Sequence, residues 1–143
     1  MKSTIQSLDV SMLLHATEDS ERVIAAVRGL IDADGTLETV EMEGHFGNSI
    51  KKVGVHLHGD QATKAFAALT ARMPGGLRKE LAKDIDKLVD EHSSLFLRLD
   101  KQKLVEGEIA TGYEDAIRLK VKPRAFLMHG HAREFFVQQL KVG

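Results

Sequence analysis

The sequence predicts an α+β fold: two layers, a mainly antiparallel sheet with helices backing one face and the other face open. Three observations carry this. Apolar and polar residues alternate over 5–14, 37–42, 50–58, 95–99, 104–109 and 117–122, the period of half-buried strands. Stripes at helical spacing fall between them, at 20–31 and 60–89. Most strand pairs are separated by short turns, which favours antiparallel pairing over parallel crossovers.

In the first strand Leu8, Val10, Met12 and Leu14 share one face, with Ser7, Asp9 and Ser11 opposite. Thr17 has the chemistry of a helix N-cap, and Glu18 and Asp19 suit the positive end of the helix dipole. Val23, Val27 and Leu30, with Ile24 and Ile31, form that helix's stripe. Asp34-Gly35 signals a turn before the second strand, Leu37 to Met42. The third strand sets Val53, Val55 and Leu57 against Lys52, Gly54, His56 and His58.

Asp60 is placed to cap the next helix, which buries Ala62, Ala65, Phe66, Leu69 and Met73. Pro74-Gly75-Gly76 breaks the chain before a third helix with Leu77, Leu81, Ile85, Leu88 and Val89 inward. Leu95, Leu97 and Leu99 then alternate with Phe96, Arg98 and Asp100, and Lys101-Gln102 reads as the turn into a strand over Leu104–Ile109. In the last strand Ile117, Leu119 and Val121 face the core, and Arg118, Lys120 and Lys122 line the other side. Pro123 ends it. The tail, Met128 to Leu140, reads as a helix with Phe135, Phe136 and Leu140 inward.

A chain of 143 residues with 43% hydrophobic content is the size of one domain, residues 1–143, with 123–143 as a helical tail. The absence of cysteine excludes disulfides, thiol catalysis and cysteine-based zinc sites. No apolar run approaches the ~20 residues of a membrane span, and Met1-Lys2-Ser3-Thr4-Ile5 lacks a signal-peptide core. The expectation is a soluble, cytoplasmic protein. Charge is split along the chain. From Arg118 onward, Arg118, Lys120, Lys122, Arg124, Arg133 and Lys141 face only Glu134, whereas the rest is net acidic. A locally basic surface suits an anionic partner.

Four short stretches stand out: His15-Ala16-Thr17-Glu18-Asp19, Glu43-Gly44-His45-Phe46-Gly47-Asn48, Arg98-Leu99-Asp100-Lys101-Gln102 and Asp115-Ala116-Ile117-Arg118. The second reads as a glycine-rich hairpin tip. In their order and spacing the four resemble a family of archaeal RNA-binding proteins described as predicted exosome-associated subunits, over roughly residues 5 to 122. The resemblance implies an antiparallel, helix-backed fold similar to the ribosomal protein that binds 5S rRNA, sometimes dimeric. It implies RNA binding and no catalysis. The stretch from Pro123 departs from the family pattern.

RNA binding needs cations for phosphates and groups that stack on or bond to bases. The candidates are Lys51 and Lys52 beside the tip, Arg98 and Lys101, and the Arg118, Lys120, Lys122 stripe. His45 and Phe46 are candidates for stacking, and Asn48 and Gln102 for reading a base edge. Aromatic residues are only 5% of the chain, with no Trp, so recognition of structured RNA by backbone and shape is expected. Each lone Lys or Arg is by default a solvated surface charge, and clustering carries the argument. The alternatives are a metal-dependent enzyme using His56 and His58 with Glu43 or His45, with His129 and His131 as a second pair, and an interaction module or homodimer. The sequence holds no HExxH, nucleophile elbow or Walker pattern. The reading is therefore a non-catalytic protein without a cofactor or bound metal.

Overall fold

The computed structural model describes residues 3–32, 37–44, 47, 49–128 and 130–142. The expected turn at Asp34-Gly35 lies outside them. The chain runs β1 (Ile5–His15), α1 (Ser20–Ile31), β2 (Leu37–Glu43), β3 (Ser49–His58), α2 (Gly59–Arg72), α3 (Gly75–Lys83), α4 (Ile85–Leu88), β4 (Leu95–Asp100), α5 (Lys101–Val105), β5 (Ala116–Pro123) and α6 (Ala132–Val142). The strands form one five-stranded sheet in the order β2-β3-β1-β5-β4. Every neighbouring pair is antiparallel.

The long β1 sits at the centre because it alternates throughout: Leu8, Val10, Met12 and Leu14 are buried on one face. Val53, Val55 and Leu57 of β3, Ile117, Leu119 and Val121 of β5, and Leu95, Leu97 and Leu99 of β4 continue the same apolar layer. The helices cover this side. Val23, Val27, Leu30 and Ile31 of α1 and Ala62, Ala65, Phe66 and Leu69 of α2 are buried against it. The α6 helix closes the layer: Phe136 meets Phe66 edge-to-face at 5.8 Å between ring centroids. Phe136 and Leu140 are fully buried, and burial of a ring of this size stabilises by roughly 1.5–3 kcal/mol. Among the described residues, no helix covers the opposite face of the sheet.

Several local expectations are corrected. The N-cap of α1 is Asp19, whose carboxylate accepts the Arg22 N–H, and not Thr17. Asp60 lies in the first turn of α2 and does not cap it. The expected third helix is split at Asp84, whose φ of −93° and ψ of 15° lie in the bridge region; Leu81 before the break and Ile85 after it are both buried. The tail helix begins at Ala132, after a 3₁₀ turn at Ala125–Leu127.

The largest correction is Leu104–Ile109, which does not form a strand. Asp100 accepts the Lys103 N–H at 2.9 Å and starts the short helix α5. The helix ends in a Schellman motif: Gly107 N–H bonds Leu104 O, Glu108 N–H bonds Lys103 O, and Gly107 takes a φ of 88°. The chain then returns along β4, bridging Leu99 with Thr111.

Candidate nucleic-acid interface

Side chains alternate across a strand, so the residues opposite the buried ones share the uncovered face. On β5 these are Arg118, Lys120 and Lys122, and on β4 Phe96 and Arg98. Register aligns them. Arg98 stands opposite Arg118, and Phe96 opposite Lys120. Towards the sheet centre, Arg118 pairs with Ser11, Lys120 with Asp9 and Lys122 with Ser7. Across β1, Asp9 pairs with His56 and Ser7 with His58. Successive cations on β5 are therefore separated by roughly 6.8 Å along the strand, with neighbouring strands about 4.8 Å apart.

The result is a basic field over β4 and β5. Lys120 Nζ lies 5.7 Å from the centroid of the Phe96 ring, which is 40% exposed. Among the described residues, no ion pair is recorded for Arg98, Arg118, Lys120 or Lys122. Asp9 faces this field from β1, in contact with His56 Nδ1, and Asp90 and Glu91 line a hollow together with Lys120 and Lys122. The His56 and His58 rings meet edge-to-face at 4.1 Å. Burial, and next the neighbouring His58, push the His56 imidazole below its ordinary pKa.

Lys51 and Lys52 separate. Lys52 lies on the uncovered face, opposite Leu13 and Val40. Lys51 shares parity with Val53 and stands opposite Glu41 on the helix side. Leu13, Val40 and Met42 are exposed around Lys52 and make this corner of the face apolar. His45, Phe46 and Asn48 lie outside the described residues, as does His129. The strand β3 begins beside the end of β1, where Ile50 pairs with His15.

Lys101 is corrected most sharply. It is 5% exposed and its ammonium donates to Leu13 O at 2.7 Å, Glu18 Oε1 at 2.8 Å and Asp115 Oδ1 at 2.8 Å. Those acceptors use its full donor capacity, so none is left for a phosphate. Glu18 Oε1 also accepts the His15 N–H, and His15 Nε2 lies 3.5 Å from Asp115 Oδ1. Three of the four distinctive stretches thus meet at one end of the sheet, around an internal ion cluster. Gln102 is exposed there and donates to Glu106.

The metal alternative fares poorly on geometry. Glu43 pairs with Ser49, seven residues along β3 from His56, a separation of about 23 Å at strand rise. His15, Glu18 and Asp115 are the one group among the described residues with ligand atoms close enough together for a cation. The Lys101 ammonium already bonds the same two carboxylates.

Sequence reasoning does not mark three exposed aromatic residues as site candidates: Phe96, on the cationic face, Tyr113, 82% exposed beside β4, and Phe126. For Phe96 the signal was present, since it shares parity with Arg98. Tyr113 follows Gly112 in an irregular segment and gave none.

A sequence-family model described as RNA binding matches residues 7–123. The chain is 32% identical to RNA-binding protein PAB1135 of Pyrococcus abyssi over 138 residues, covering 92% of this chain and 90% of that one. The solved structure of AF2318 from Archaeglobus fulgidus, of family DUF54, superposes with a TM-score of 0.80 at 26% identity, covering 94% of this chain and 99% of that one. The DUF54 protein Mth689 of Methanothermobacter thermautotrophicus gives a TM-score of 0.70 at 31% identity, with 97% of each chain covered. No helix among the described residues is long and apolar enough to cross a membrane. With the match spanning nearly the whole sheet and a relative of this identity over most of its length, the chain belongs to the RNA-binding protein family that the matching model describes.

Proposed function

We propose that this protein binds RNA without catalysis, on the uncovered face of its sheet. The observation that supports it most directly is the set of cations on β4 and β5: Arg98 opposite Arg118, continued by Lys120 and Lys122, without recorded acid partners of their own. Such an arrangement costs stability unless a polyanion neutralises it. The family match and the name of the Pyrococcus relative point the same way. The resemblance in the sequence extends the reading to an accessory role in RNA processing or degradation, alongside the exosome, on a fold related to the 5S rRNA-binding ribosomal protein.

The test is the salt dependence of binding to a structured RNA. Affinity should fall steeply with salt, and Lys120→Gln with Lys122→Gln should flatten the log–log slope by about 1.4, at about 0.7 per lost phosphate contact in a single-stranded segment. A folded double variant with unchanged affinity and slope would reject the surface.

A second reading has its own observation. Leu13 on β1 and Val40 and Met42 on β2 are exposed on the same face, on either side of Lys52, and apolar groups gathered in this way favour a protein contact, including a second copy of this chain. Light scattering across a concentration range separates a dimer from a monomer.

A further inference from the structure

The outer edge of β4 is paired at its two ends and open between them. At one end Leu95 bridges Val89, and Asp90 N–H bonds Ser94 O. At the other, Leu99 bridges Thr111, Gly112 N–H bonds Arg98 O, and Asp100 N–H bonds Ala110 O. Backbone groups alternate in direction along a strand, so the Phe96 carbonyl and the Arg98 N–H also point outward. Neither has a recorded partner among the described residues.

Phe96 and Arg98 line a cleft of about 340 Å³, on the strand edge towards which these two groups point. Its walls carry Glu80, Asp84 and Lys87 on the helical side, and Thr111 and Tyr113 on the other. The opening spans only Phe96 to Arg98, so an extended peptide strand would collide with the paired segments at either end. A single flat group fits. The cleft is also continuous with the cationic face, since Phe96 and Arg98 offer side chains to that face and main chain to the cleft.

We propose that the cleft takes one unpaired RNA base, and that it favours a base with an exocyclic amino group. The inference rests on the RNA-binding reading of the uncovered face. Cytosine presents an amino donor at one end of its pairing edge and a carbonyl acceptor at the other. The donor suits the Phe96 carbonyl and the acceptor the Arg98 N–H. Guanine offers the same pair through its N2 amino group and O6. Uracil presents carbonyl oxygens at both ends, and one of them would face the Phe96 carbonyl. Glu80 and Asp84 favour amino groups, because carboxylates accept from them and repel carbonyl oxygens, while the Lys87 ammonium on the same wall suits the phosphate that accompanies the base. Tyr113 supplies a ring to stack on, which every base tolerates and which adds affinity without choosing.

The experiment compares fluorescence anisotropy of labelled oligocytidylate and oligouridylate of equal length, with a fully paired RNA hairpin as a third probe. The variants are Tyr113→Ala and Glu80→Gln, both at exposed positions. The wild-type protein should bind oligocytidylate about tenfold more tightly than oligouridylate, the scale of one well-formed base contact. Tyr113→Ala should weaken both single strands, and Glu80→Gln should narrow the ratio. Equal binding of the two single strands overturns the base preference. Binding confined to the paired hairpin overturns the cleft as a base site while leaving the cationic face intact. Failure to bind any of the probes overturns the RNA reading itself.

Discussion

Arg98 and Arg118 stand directly opposite one another in the β4–β5 ladder, both on the uncovered face. Like charges across a strand pair repel, and the cost is roughly 0.2–1 kcal/mol, towards the low end here because both side chains are solvated. Arg118→Thr should therefore stabilise the protein slightly in urea denaturation while weakening RNA binding. A variant that loses stability and keeps its affinity would show that Arg118 serves the fold.

The Lys101 cluster should behave in the opposite way. Its ammonium is buried and bonds two carboxylates and a backbone carbonyl. Removing one partner of a buried pair costs about 3–5 kcal/mol. Asp115 is half exposed and Glu18 partly so, which reduces this to about 2–3 kcal/mol. Lys101→Met should lower the thermal midpoint by many degrees and leave the salt slope of RNA binding unchanged. A flattened slope with unchanged stability would return Lys101 to the RNA surface.

These two sites show what a sequence discloses. The stripe Arg118, Lys120, Lys122 was legible because period two is a local property, and the buried partners Ile117, Leu119 and Val121 fix which face is left. The burial of Lys101 was not. Its partner Glu18 lies 83 residues away, and nothing near Asp100-Lys101-Gln102 announces it. Lys51 and Lys52 are adjacent in sequence and for that reason lie on opposite faces. The α5 helix is too short to show a period. Its start depends on one carboxylate, and its end on Gly107.

Gly112 tests the β4 edge. A Cβ added there would lie 2.7 Å from Asp100 Cα and 2.9 Å from Asp100 N, contacts that backbone cannot yield cheaply. Gly112→Ala should destabilise by about 1–3 kcal/mol, the range for overpacking. It should also release the Arg98 O bond made by Gly112 N–H, which hydrogen exchange at that amide would report. Full protection in the variant would mean that the segment shifts without strain.

His56 gives a prediction in pH. Burial and then His58 lower its pKa in the folded protein, while the Asp9 carboxylate at Nδ1 and Lys120 across the row act in opposite senses. A histidine with a depressed folded pKa binds its proton more readily when unfolded. Its contribution to stability is thus full above the ordinary value of about 6.5 and is lost as pH falls through the lower folded value. The imidazole resonances of His56 should titrate with a midpoint below that of a free histidine, and His58→Asn should move the midpoint up. Protonation in the same window adds a positive charge beside the β5 stripe, so RNA affinity should rise as stability falls. A midpoint at the ordinary value would abolish the stability slope and one above it would reverse that slope, while the rise of RNA affinity on protonation would remain.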